Sequence, residues 1–220
     1  MSFLNIYSHC VSLLITGFIL YIAGFDLEAT SCHARLSTIG TVLLMSEALM
    51  VLTPDNVWSQ SIPNYRTRSH LHWMLQLTGT IMNITGAIIM IKDKKDDTIS
   101  LHAILGLLSI ASMIFLCLSG TTLFYTVKLK KIIRPVVFKF IHTYVGIFAF
   151  VFAISAQCLG YDKKWVKVAA GRQIALLAFI LTCTSALICL LRPTQSLTKY
   201  FQAILRLFKI KKLTKRNKNL

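Results

Sequence analysis

Carboxylates are scarce in this chain. Only eight of 220 residues are Asp or Glu, against 24 Lys or Arg, and one acidic side chain, Glu47, falls inside a long apolar run. A cation path across a membrane usually wants several carboxylates, so a lone one counts against that reading. No C-x-x-C occurs among Cys10, Cys32, Cys117, Cys158, Cys183 and Cys189. Their scatter excludes a disulfide framework or a zinc knuckle and reads as small buried side chains. No Lys or Arg precedes the first apolar run and no A-x-A-type site follows it, so it is expected to be a retained helix rather than a cleaved signal peptide. The formal charge of +16 does not point to nucleic acid, because nine of the 24 basic residues lie from Arg192 onward, interleaved with Leu, Ile and Phe. Such a tail suits an anionic lipid surface.

What is present is apolar length. Hydrophobic residues make up 55% of the chain, mean hydropathy is +0.64, and soluble domains are nearer 45–50% apolar. Six runs stand out, at 6–25, 33–53, 71–91, 101–127, 136–160 and 173–191. Each reaches the ~20 residues that cross a ~30 Å hydrocarbon core as a helix, and lipid leaves the backbone no other partners. The expected fold is an all-α membrane protein of six transmembrane helices, with spans two to five as a central four-helix bundle. The expected division is a transmembrane domain over 1–195 and a basic tail over 196–220. Sixteen basic residues fall on the side holding both termini and eight on the other, so both termini are expected in the cytosol.

Four histidines share a local pattern. From His72, steps of +4, +7, +11 and +14 give Gln76, Gly79, Asn83 and Gly86, a small or polar helix face. His70, about 200° round the helix, heads Met74, Leu77, Ile81 and Ile84 and is expected to face outward. His33 leads to Ser37, Gly40, Leu44 and Glu47; His102 to Gly106 and Ser109; His142 to Gly146, Ala149, Ala153 and Ala156. His9 leads to Leu13, Thr16 and Leu20 and lacks the small-residue row. Small residues alone mean close helix packing; four rows each headed by a histidine also suit a flat macrocycle lying along the helices. Topology places His33 with His102 on one side of the membrane and His72 with His142 on the other. Two histidines at each level can ligate one iron from both faces, giving two haems b on the order of 20 Å apart. With both axial positions filled, electron transfer is the expected task. No C-x-x-C-H is present, so the haem would not be attached through that motif. A histidine-lined metal or proton transporter, and four structural histidines with no cofactor, are the competing readings.

These residues carry a family likeness. Six spans with a histidine heading each of the middle four, with "SEALMV" (46–51), "SLHAILG" (100–106), "HWMLQLTG" (72–79) and "HTYVG" (142–146), resemble the cytochrome b561 family of transmembrane ascorbate-dependent reductases over roughly residues 5–195. The resemblance implies electron transfer from cytosolic ascorbate, through a cytosolic-side haem of His72 and His142 and an exoplasmic-side haem of His33 and His102, to ferric iron or monodehydroascorbate. It also implies a homodimer. Basic residues near the cytosolic haem would hold the anionic donor: Arg66, Arg68 and Lys139 are the candidates, and each also obeys the positive-inside rule. "ALMVLTPDN" stands where the family has an arginine-bearing stretch, and "KDKKDDTI" before His102 lacks the aromatics of the exoplasmic site. A haem-binding subunit fed by quinol is the alternative donor reading.

Glu47 lies about 21 Å along its span from His33. Three roles stay open for it: a bond to a haem ligand, a proton-coupling role, or pairing with a polar neighbour such as Gln76. The sequon at Asn83 falls mid-span and is not expected to carry sugar. The final "RNKNL" tilts the expected location to the endoplasmic reticulum or vesicles.

Overall fold

The computed structural model describes residues 2–53, 56–93, 99–123 and 134–217, with side chains given for all of these except 2, 122–123 and 210–217. Lys94, Lys95, Lys128, Lys130 and Lys131, which entered the charge count, lie outside the described residues, as do the end of the basic tail and Pro54 and Asp55.

No strand occurs among the described residues. The chain runs through α1 (Ser2–Ala23), α2 (Ala29–Thr38), a π-helical segment (Ile39–Met45), α3 (Ser46–Met50), α4 (Tyr65–Asp93), α5 (Leu101–Leu123), α6 (Pro135–Tyr161), a short α7 (Lys164–Ala170) and α8 (Arg172–Asn217). Helix ends follow local chemistry. Gly24, at φ +54°, closes α1 with its N–H on Leu20 O, and Gly171, at φ +84°, separates α7 from α8; both use the left-handed backbone that glycine adopts without strain. Pro135 opens α6 after an extended Arg134, a position where its missing N–H costs nothing.

Five helices are long and apolar enough to cross a membrane: α1, α4, α5, α6 and α8. The protein is an integral membrane protein. The expected second span is a composite instead: ten α residues, seven π and five α in succession. The last helix also departs from expectation. It does not stop near 191 but continues through Pro193 into the tail as one 46-residue element. Proline removes one ladder bond; close by, the Thr194 hydroxyl donates to the carbonyls of Leu190 (2.8 Å) and Leu191 (2.9 Å).

Two antiparallel pairs make the largest contacts, the composite element from α2 through α3 with α4, and α5 with α6, while α8 packs along α6 and α1 along α8. Each pair crosses at a small residue seven positions after its histidine. A Cβ added at Gly79 would lie 2.8 Å from Gly40 O, and one at Gly40 would lie 2.8 Å from Gly79 O. In the second pair the Ser109 hydroxyl donates to Ala149 O at 3.0 Å. At Gly40 and Gly79 the small residues serve backbone-to-backbone contact, and at Ser109 a side-chain hydroxyl bridges the pair. Open space is found instead at Gly146, where an added Cβ meets nothing within 4 Å. Asn83 is buried, accepting from Thr41 and donating to Gly79 O, which removes it from any glycosylation machinery. The α1–α8 contact is polar: Tyr7 Oη lies 2.7 Å from Thr184 Oγ1, and Ser8 Oγ 2.7 Å from Ser185 Oγ.

Candidate functional site

The four patterned histidines end up in two groups. The His33 and His102 rings sit with centroids 5.9 Å apart and planes at 81°. His142 lies close enough to His72 for the two rings to interact electrostatically. Along α4, His72 and Gly86, which contacts His33, are fourteen residues apart, a rise of about 21 Å. The two groups thus occupy opposite ends of the bundle, each joining one helix pair to the other.

Three of the four rings are held by the same device. His33 Nδ1–H donates to Gly86 O (3.0 Å), His72 to Ala48 O (2.6 Å) and His102 to Ala156 O (2.8 Å). In each case the carbonyl belongs to the partner helix of the same pair. Donation from Nδ1 fixes the tautomer and leaves the Nε2 lone pair available, the state in which an imidazole ligates a metal. Glycines or alanines at these contacts let the ring approach the backbone: a Cβ on Gly86 would lie 3.4 Å from His33 Nδ1, and one on Gly160 3.6 Å from His102 Cε1. His142 differs, since its Nδ1 is buried without a hydrogen-bond partner.

These residues fit a haem on several counts. Two metal–nitrogen bonds of about 2 Å each, with the ring half-widths, require centroids about 6 Å apart, which the first pair meets. Among the described residues no three His, Cys, Asp or Glu gather as a bare ion would need; a two-ligand arrangement suits a metal whose plane is filled by a macrocycle. Near His72, Trp73 Nε1 and Arg68 Nε are buried donors with no partner, and donors of that kind suit a group bearing carboxylates.

The other expected residues are more dispersed. Arg66 and Lys139 are exposed near the starts of α4 and α6, and the half-buried Arg68 holds its guanidinium 5.9 Å from the Tyr65 ring. His70 is exposed, opposite in direction to His72, as the helical period requires. Glu47 meets neither a patterned histidine nor Gln76. It accepts from His9 Nδ1 at 2.5 Å and from Trp58 Nε1 at 2.9 Å, while His9 Nε2 donates to Asn56 Oδ1 at 2.7 Å. His9 is thus a polar residue that the search for glycine-rich rows passed over. Its lone imidazole facing a lone intramembrane carboxylate was the available signal.

An integral membrane protein of helical type, with paired histidines at two depths, is the class that this fold and these residues define. The sequence matches the eukaryotic cytochrome b561 family over residues 32–167, and the chain belongs to that family, whose members bind haem b and carry electrons across membranes. It is similar to the human protein named Transmembrane reductase CYB561D2, 26% identical over 183 residues, which cover 80% of this chain and 81% of that one. The bovine and mouse proteins of the same name are 26% and 27% identical over 163 residues, 72% of each chain. No solved structure gives a significant match.

Proposed function

We propose that the protein is a six-span transmembrane reductase that takes electrons from cytosolic ascorbate, through haem b held by His72 and His142 and then haem b held by His33 and His102, to ferric iron or monodehydroascorbate on the far side. The observation that carries this reading is the 5.9 Å approach of His33 to His102, with His72 and His142 as the equivalent pair at the other end. The relatives' names supply the reaction class. When bound, the haems supply one-electron oxidation and reduction without a change of ligands.

The chain's own residues do the rest. Backbone carbonyls of Gly86, Ala48 and Ala156 hold three imidazoles in one tautomer and one orientation. Arg66, Arg68 and Lys139 give an anionic donor a cationic approach to the His72/His142 end, and Arg68 Nε is the atom with unmet donor capacity. In this reading the composite α2–α3 element is the second span, both termini are cytosolic, the chain dimerises, and the membrane is internal, of the endoplasmic reticulum or vesicles.

The test is a visible spectrum of the detergent-purified chain before and after ascorbate. A six-coordinate haem b signal with two haems per chain, reduced by ascorbate, is expected. A signal that ascorbate leaves unchanged rejects the donor and keeps the cofactor; a colourless folded chain expressed with ample haem rejects the whole reading.

A further inference from the structure

We propose that a groove between α1, α3 and α4 binds a quinol dissolved in the membrane, with the His9–Glu47 pair receiving its hydroxyl proton. The inference rests on the haem reading above for its electron acceptor and differs from it in the donor.

The open groove offers about 480 Å³, with Leu13, Leu43, Val57 and Leu75 on its walls and His9, Glu47 and Trp58 at its polar end. That volume is ordinary for a small-molecule site, as is an apolar lining with one small polar end. Leu13, on a membrane-crossing helix, is 61% exposed, so the mouth opens sideways, where lipid lies. A ligand arriving there comes from the bilayer.

The polar end has no packing purpose equal to its expense. A carboxylate inside a span is costly unless partnered, and this one draws partners from two places: His9 from α1, and Trp58 from the segment after α3, which also supplies Asn56 behind His9. The two His9 nitrogens lie 2.5 Å from Glu47 Oε1 and 2.7 Å from Asn56 Oδ1, so the ring is held on both sides at the polar end. Each Glu47 oxygen receives one bond from the described protein groups, and a carboxylate has about four acceptor positions. Capacity is left for a hydroxyl.

The chemistry selects the ligand. Ascorbate is an anion with several hydroxyls; among leucine and valine walls these would lose their hydrogen bonds, and its charge would meet a carboxylate. A quinol has an apolar ring, with hydroxyl groups that can reach one polar end. Position also fits, since Glu47 directly precedes Ala48, whose carbonyl holds His72. The step balances with the ferric haem as oxidant: one O–H bond of the quinol breaks, its proton passes to the Glu47–His9 pair, and one electron reduces one iron from ferric to ferrous. A second such step leaves the quinone, with two protons and two electrons delivered in all.

The experiment uses the haem-loaded full chain in phosphatidylcholine nanodiscs with decylubiquinol and decylubiquinone as probes. Calorimetry should show saturable quinone binding beyond that of empty nanodiscs, and Leu13→Trp, which fills the groove, should abolish it. Stopped-flow reduction by the quinol and, separately, by ascorbate gives two rates for each variant. Glu47→Gln and His9→Ala should lower the ratio of quinol-driven to ascorbate-driven rate about a hundredfold, the low side of a lost general base. No saturable binding, or an unchanged ratio in both variants, overturns the proposal. Reduction by quinol but not by ascorbate supports it while removing the ascorbate donor; reduction by ascorbate but not by quinol does the reverse.

Discussion

The two antiparallel helix pairs, α2–α3 with α4 and α5 with α6, obey one rule and break it in one region. In both, the small residues seven positions after the histidines form the crossing. In both, a histidine donates to a carbonyl of its partner helix that lies two such steps, fourteen residues, after the partner's own histidine: Gly86 after His72, and Ala156 after His142. The first departure is Ala48, fifteen residues after His33, because the π segment intervenes. The second is Leu116, fourteen after His102, whose carbonyl receives the Ser119 hydroxyl at 3.4 Å while His142 Nδ1 stays unpartnered. Both departures concern the His72/His142 end. The His33/His102 end is regular in both pairs, so the bundle combines one uniform end with one differentiated end.

The strongest way to break that equivalence is to remove one histidine from each end. His33→Ala and His72→Ala are each expected to halve the haem content of the purified chain, measured as pyridine haemochrome per polypeptide, because each disables one end alone. Loss of both haems from either variant would mean that the two ends fold as one unit.

The crossings give the next largest effect. Gly79→Ala places a methyl 2.8 Å from a backbone oxygen that has little freedom to move; it should destabilise by about 1–3 kcal/mol, in the range of overpacking. Gly146→Ala meets no neighbour and should be neutral or slightly stabilising, since alanine is the better helix former by up to about 1 kcal/mol. Thermal unfolding in detergent separates the two. In the second pair, Ser109→Ala removes the hydroxyl that reaches Ala149 O and should cost about 0.6 kcal/mol, typical of hydrogen bonds between membrane helices.

The smallest effect lies outside the membrane. Lys167, 2.6 Å from Asp162, holds that carboxyl below its usual range through a hydrogen bond and its charge. A lowered carboxylate pKa stabilises the folded state above about pH 4 and loses that contribution as pH falls through the lowered value. Asp162→Asn should therefore lower the melting temperature slightly at pH 7 and by less as the pH falls below about 4. Both partners reach solvent, so the shift will be small.

Much of this organisation is legible in the residues because it depends on helical period. Counting steps of seven from each histidine finds Gly40, Gly79, Ser109 and Ala149 without coordinates, and the opposite directions of His70 and His72 follow from 200° of rotation. The purpose of the small residues is less legible: a glycine reads alike whether it admits a backbone or a cofactor. Glu47 shows why step-counting fails in places. A π turn takes about one residue more than an α turn, so the π segment unwinds the helix face by roughly a quarter turn, and Glu47 leaves the His33 row to meet α1. Nothing in "IGTVLLM" announces that geometry, since apolar residues fit either winding. The length of α8 is hidden for a different reason: the apolar run ends near 191, yet the helix continues through Pro193 into the basic tail.

The π segment has a consequence for comparing this chain with its relatives. It places one residue more between His33 and the Ala48 carbonyl than separates His72 from Gly86. A relative whose second span is α-helical throughout would reach the equivalent carbonyl one residue sooner. An alignment drawn without a gap would then pair every position from the bulge to Met50 with the wrong neighbour and offer Ala48 as the counterpart of the residue after the true one. At 26% identity such a slip would go unnoticed in the score, and the place to open the gap is between Ile39 and Met45.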